Sequence, residues 1–228
     1  MEQIGFIGAY DKKDLLLNIA KIISKLNKNV LIVDATIMQR LRYVIPKISS
    51  TPAYVSEYDG IDVAVGFMNY MNIASYLGKT NLDYDVVLVD TDNPQTMNSF
   101  MVQNSKINFF VTSYDEFELQ RSLEILSVVQ APINLTKIVI SSDMENKNHD
   151  DYLDYILKDY PVTWNENKIL FPDTDSDREV TLTNQLIKQI NIKDYSSTYK
   201  DGLEYIVSLI LEGIIDQSSI RRLINRKV

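Results

Sequence analysis

Residues 4–34, IGFIGAYDKKDLLLNIAKIISKLNKNVLIVD, constrain the fold more than any other stretch. A short apolar strand runs into a turn, the turn into an amphipathic helix, and the helix into a second apolar strand ending on Asp34. Leu15, Leu16, Ile19, Ile22, Ile23 and Leu26 share one broad helical face. This is the layout of a nucleotide-binding βαβ unit, whose turn would read G-x-x-x-x-G-K-[ST]. Here the turn reads Gly8-Ala9-Tyr10-Asp11-Lys12-Lys13-Asp14. The scaffold is present and the phosphate-binding chemistry is largely replaced.

The same alternation continues down the chain. Strands are expected at Gln3–Ile7, Val30–Val33, Asp62–Phe67, Asp85–Asp90, Asn108–Thr112, Lys137–Ser141 and Lys168–Phe171. Helices are expected at Lys12–Leu26, Asn69–Leu77, Asp115–Val129, His149–Lys158, Thr198–Leu211 and Ser218–Arg226. Residues 36–60, broken by Pro46 and Pro52, carry no clear pattern. The pattern predicts an α/β fold, a doubly wound and mostly parallel sheet with helices on both faces. The loops after Ile7, Val33, Asp90 and Thr112 then meet at one sheet edge, where ligands bind in such folds. The expected division is a main α/β domain over 1–215 and a short basic amphipathic helix over 216–228.

Composition narrows the function. The chain has 228 residues, 45% of them hydrophobic, enough for a single sizeable core. Without cysteine and with one histidine, His149, disulfides and zinc sites built on thiolate or imidazole are not expected. No apolar run is long enough to span a membrane and the start does not read as a signal peptide, so cytoplasmic residence is the simplest expectation. A net charge of −8 makes nucleic acid an unlikely partner, because basic residues cluster only at Arg221, Arg222, Arg226 and Lys227. Fourteen tyrosines, several beside charges, suit protein interfaces, and most of them suit half-buried sheet and helix edges better.

The stretches VLIVDAT (30–36), DYDVVLVDTDNP (83–94) and ILFPDTD (169–175) resemble the ParA/MinD superfamily of P-loop ATPases, and within it most the TadZ/CpaE-like proteins that position pilus and secretion machinery. The second stretch resembles the family's Walker B strand, and the third its Pro-Asp segment beside the base. Aligning Asn18-Ile19-Ala20 with the family's Asn-Leu-Ala puts Lys12 on the P-loop lysine. The glycine before it becomes Asp11, the magnesium-binding threonine becomes Lys13, and the family's early signature lysine is absent near Ile7 and Gly8. Where the family has Asp-x-Asp, this chain has Asp34-Ala35-Thr36, and the base-reading asparagine falls near Ser141. Thr36 is no base near neutral pH.

The resemblance therefore implies a non-hydrolysing relative of those ATPases, a positioning or assembly scaffold for a cell-envelope machine. Protein partners are expected, with the chain either a homodimer held by direct contacts over that loop edge or a constitutive monomer, and with Tyr10, Asp11, Lys12, Thr36 and Asp92 facing a partner. No cofactor is expected; Gly8, Lys12, Asp34 and Asp90 would hold ATP and Mg²⁺ only if the site were retained. An active divergent ATPase and a DNA-partition accessory factor are the alternatives. On residue types alone, Asp34 and Asp90 are equally suited to capping, and Lys12 and Lys13 to solvated first-turn positions. Ile220, Leu223 and Ile224 form an apolar stripe flanked by Arg221, Arg222, Arg226 and Lys227. That helix either lies in a membrane interface, as MinD-like tails do, or docks on the chain's own core.

Overall fold

The computed structural model describes residues 1–228 except 49, 130–131, 143–146, 213 and 226–228, and except the side chains of Lys147 and Asn148. Eight strands form one sheet: β1 (Glu2–Ile7), β2 (Val30–Asp34), β3 (Tyr54–Tyr58), β4 (Ile61–Val65), β5 (Val86–Thr91), β6 (Ile107–Ser113), β7 (Ile133–Ser141) and β8 (Val162–Pro172). Their order is β3-β4-β2-β5-β1-β6-β7-β8, parallel throughout except for the antiparallel β3–β4 pair at one edge. The helices are α1 (Lys13–Lys25), α2 (Tyr70–Tyr76), α3 (Pro94–Ser99), α4 (Glu116–Ser127), α5 (Lys147–Leu157), α6 (Asp175–Ile187), α7 (Ser197–Ile210) and α8 (Gln217–Asn225).

The strict two-residue period of the strands divides the core. Val30 and Ile32 of β2, Val86 and Leu88 of β5, and Phe109 and Val111 of β6 face α1, α7 and α8. Leu31, Val33, Val87, Val89 and Phe110 face the opposite way, toward α2 to α5. Both faces are covered, which is why these central strands read as uninterrupted apolar runs.

Three elements were not anticipated. The unpatterned stretch 36–60 contains β3, joined to β4 by Asp59 and Gly60 with φ of 51° and 80°. A two-residue Asp-Gly turn with both φ positive matches the right-handed twist of a hairpin, so the Asp-Gly pair was the available signal. Helix α3 starts with Asn93 accepting from the Thr96 amide and Pro94 in the first turn. Helix α6 begins in the same way, with Thr174 Oγ1 accepting from the Asp177 amide. Strands β7 and β8 are also longer than their apolar cores, because β8 is an edge strand with exposed polar residues along its first half.

Helix α8, expected as a tail, packs against α1 and α7. Ile220 and Ile224 are buried in the main core and Leu223 packs against it, while Arg221 and Arg222 face solvent. Arg221 lies near Asp201 and Glu204 of α7. Arg226 and Lys227 lie outside the described residues. No helix among the described residues is long and apolar enough to cross a membrane. Emptying one of these core seats leaves a cavity, so Ile224→Ala should cost about 2–4 kcal/mol of stability in lipid-free buffer, read by urea denaturation. An unchanged midpoint would mean the stripe is not docked.

Candidate functional site

The site forms where β1, β2 and β5 end side by side. Parallel register pairs Asp34 with Asp90 and Phe6 with Asp90. Both carboxylates fall on the strand face that looks toward α1. The chain leaves β1 through Gly8, whose amide donates to Thr91 O at 3.2 Å and whose φ is 137°. A Cβ there would sit 2.1 Å from the Val111 carbonyl, so glycine is demanded by the close passage of β6. The Ala9 amide then donates to Ser122 Oγ of α4.

Lys12 is 1% exposed, not solvated. Its ammonium donates to Gly8 O and to Tyr10 O, the latter at 3.0 Å. Its third direction is taken by Asp90, with Nζ 2.9 Å from Oδ1. The contact pairs two buried charges. Burial pushes the Asp90 carboxyl up to about 7, with Lys12 opposing the shift and Asp34 adding to it. The P-loop lysine of the alignment thus has its donors satisfied inside its own loop.

The other positions are occupied in the same way. Asp11 Oδ1 accepts from the Lys13 amide at the first turn of α1, the place where a phosphate would sit on a helix N-terminus. Asp11 Oδ2 takes Lys13 Nζ at 2.6 Å and Arg40 Nη1 at 2.8 Å. Burial acts to raise the Asp11 carboxyl, and the hydrogen bonds from Lys13 and Arg40 outweigh it, leaving it below the ordinary carboxylate range. Asp34 Oδ1 accepts from Thr36 Oγ1 at 2.6 Å and Oδ2 from the Leu41 amide at 3.0 Å. Burial still leaves the Asp34 carboxyl raised. Asp92 Oδ1 accepts from the Ile37 amide at 2.8 Å. These bonds fold residues 36–41 over the loop, and the space left among Lys12, Asp34, Thr36, Arg40, Asp90 and Asp92 is about 50 Å³.

As the loop stands, its own side chains leave no room for a triphosphate among these residues. Ligand pockets run to roughly 300–1,000 Å³. Both Asp34 oxygens already accept hydrogen bonds, Lys13 supplies no oxygen for a cation, and Asp11 presents a carboxylate where phosphate charge would lie. Among the described residues no group of three or more His, Asp or Glu side chains stands ready to hold a metal. Gly8, Lys12, Asp34 and Asp90 are brought together at the strand ends, with Lys12 engaged by Gly8 O and Asp90. Arg40 was missed, since it lies in the unpatterned stretch, and only its reach across to Asp11 reveals it.

Beside this filled loop is an open cleft of about 400 Å³ between the start of α1 and the start of α6. Tyr10, Leu15, Ile140, Pro172, Leu182 and Tyr199 give it apolar walls. Tyr199 stacks on Tyr195 at 4.3 Å and meets Phe171 edge-on at 5.1 Å.

No protein-family model matches the chain, and no curated protein sequence does. Solved structures do. A ParA family ATPase from Chlorobium tepidum superposes with a TM-score of 0.59 at 13% identity, over 90% of this chain and 96% of the other. The MinC:MinD cell division complex of Aquifex aeolicus gives 0.58 at 14% identity, over 100% and 98%. The ATP complex of a Cyanothece McdA variant gives 0.61 at 10% identity, over 95% and 98%. At these identities the likeness establishes the fold: a mostly parallel P-loop NTPase sheet of ParA/MinD type.

The site makes stability depend on pH. The Asp90 carboxyl binds its proton more tightly folded, at about 7, than at its ordinary 3.8. The stability it contributes is full below the lower value and is lost as pH rises through the upper one. Lys12→Met strands the carboxylate, so urea denaturation should show a loss of about 3–5 kcal/mol at pH 8 and a much smaller loss at pH 5, where a proton replaces the ammonium. Equal losses at both pH values would show that the pair is not coupled.

Proposed function

We propose that this chain is a non-hydrolysing relative of the ParA/MinD ATPases that acts as a positioning or assembly scaffold for a cell-envelope machine, such as a pilus or secretion apparatus. The observation that carries the reading is Lys12, buried and engaged by Gly8 O and Tyr10 O of its own loop and by Asp90 of β5. Asp11 at the helix start and the hydrogen-bonded Asp34 support it. With the nucleotide role gone, the loop's task is to fix the shape of one sheet edge. That edge presents Ile37, Met38 and Tyr43, all more than 60% exposed, as a surface for protein contact.

The choice of machine rests on the TadZ/CpaE-like resemblance of the sequence. Partners are proteins of that machine and a second copy of the chain, in the cytoplasm. MinD occurs with MinC in one similar structure, which fits a protein-partner role for this fold. Peripheral membrane contact through α8 would require Ile220 and Ile224 to leave the core, because the helix turns Arg221, Arg222 and other polar residues outward while its apolar stripe is buried.

Calorimetric titration with Mg²⁺ and ATP tests the reading, with Lys12→Ala as the control. The expected result is no binding heat at millimolar ATP. Micromolar binding that disappears in Lys12→Ala would overturn it and favour a divergent ATPase.

A further inference from the structure

Helix α4 buries one side, with Leu119, Ser122, Leu123, Ile125 and Leu126 turned to the sheet. Its opposite side carries Phe117, Arg121, Glu124 and Val128, the last at the C-cap. Phe117 is 72% exposed and Val128 50%. The side chains of Arg121 and Glu124 are 42% and 63% exposed. One exposed apolar side chain needs no explanation. Four exposed residues spaced four, three and four apart are different. That spacing keeps them on one line down a helix, and it is the spacing of the seam where two helices pack together. At 1.5 Å per residue the line is about 16 Å long.

The order along the line is apolar, basic, acidic, apolar. Read backwards, it is the same line with the charges exchanged. A second copy laid antiparallel, about a two-fold axis between Ser122 and Leu123, therefore meets every position with its complement. Phe117 faces the partner's Val128, Arg121 faces the partner's Glu124, and the axis repeats both contacts. A parallel pair would set Arg121 against Arg121 and Glu124 against Glu124. Sliding the antiparallel pair by one seam position would set Phe117 against Glu124. Self-complementarity of this kind is what a two-fold contact requires, and a partner of another sequence would not impose it. Within one chain Arg121 already pairs with Glu124 across a turn. The two-fold contact merges two such exposed pairs into one cluster of four charges. Charge then sets register and direction, while Phe117 and Val128 supply the apolar burial. Antiparallel helices also oppose their macrodipoles.

We propose that the outer face of α4 is a homodimer contact, an antiparallel pair of α4 helices from two copies of this chain that forms without a nucleotide. The assignment deepens the scaffold reading above and rests on it for the second copy, which it places on α4 rather than over the filled loop. A pair of twelve-residue helices buries less than the roughly 800 Å² per partner of a standard interface, so the dimer is weak, with a dissociation constant on the order of 10–100 µM.

The test is sedimentation velocity of the intact chain from about 1 to about 500 µM, with and without Mg²⁺ and ATP. A monomer–dimer equilibrium that the nucleotide leaves unchanged is expected. Phe117→Ser, on the exposed face, should weaken it by a factor of about ten or more at unchanged thermal midpoint. Arg121→Glu and Glu124→Arg each set like charges opposite one another, and each alone should weaken self-association about tenfold. Mixing those two variants should restore the dimer, because the all-acidic line of one then faces the all-basic line of the other. A monomer at about 500 µM would overturn the proposal. So would a dimer insensitive to Phe117→Ser, a dimer that needs ATP, or a mixture of the two charge variants no tighter than either alone. Monomers throughout, with no heat on ATP titration, would remove the α4 contact and leave the filled loop standing. Heat from ATP with the nucleotide-independent dimer retained would do the reverse.

Discussion

The contact between Lys12 and Asp90 organises the rest of the site. An ammonium and a carboxylate are both taken out of water at the end of the central strand, a placement that is unfavourable unless each is satisfied. The ammonium is satisfied by two loop carbonyls and the carboxylate. To hold those carbonyls inward the turn must curl tightly, which Gly8 permits by passing against the Val111 carbonyl without a side chain. The tight turn then sets the start of α1, and α1 covers one face of the sheet. Loop geometry and core packing thus share one cause.

Charge is balanced locally around that contact rather than left for a ligand. Asp11 supplies the anion that the helix start attracts, Lys13 and Arg40 neutralise Asp11, and Asp34 and Asp92 tie down residues 36–41 above them. A phosphate would have to displace a carboxylate that is covalently present and already hydrogen-bonded. The neighbouring cleft differs. Its polar groups pair around the rim, its floor is aromatic, and space remains in it. The molecule separates a closed electrostatic cluster from an open cleft on the same sheet edge.

Much of the fold is readable from residue order. The apolar runs at Val30–Val33 and Asp85–Asp90 mark doubly covered strands, and the helical stripe of α1 marks its buried face. Strand β3 hides because Pro46 and Pro52 mask the pattern before the Asp-Gly turn. Helix α6 hides because its moderate amphipathicity is interrupted by Thr and Asn, while Thr174 and the acids that follow still mark its start. The conjunction of Gly8, Lys12, Asp34 and Asp90 was legible from the βαβ layout. The burial of Lys12 was not, because a lysine in a Tyr-Asp-Lys-Lys turn looks solvated until a distant strand delivers Asp90 beside it. Arg40 depends in the same way on a fold-level approach to Asp11.

The central claim is that Lys12 is occupied by its own loop, and the reactivity of its amine tests it most directly. Brief acylation of the native protein, mapped lysine by lysine by mass spectrometry, should leave Lys12 unmodified while exposed lysines react, and Lys12 should become reactive only on unfolding. Mg²⁺ and ATP should not alter its labelling. A Lys12 that reacts in the native state as fast as surface lysines, and that ATP then protects, would contradict the account.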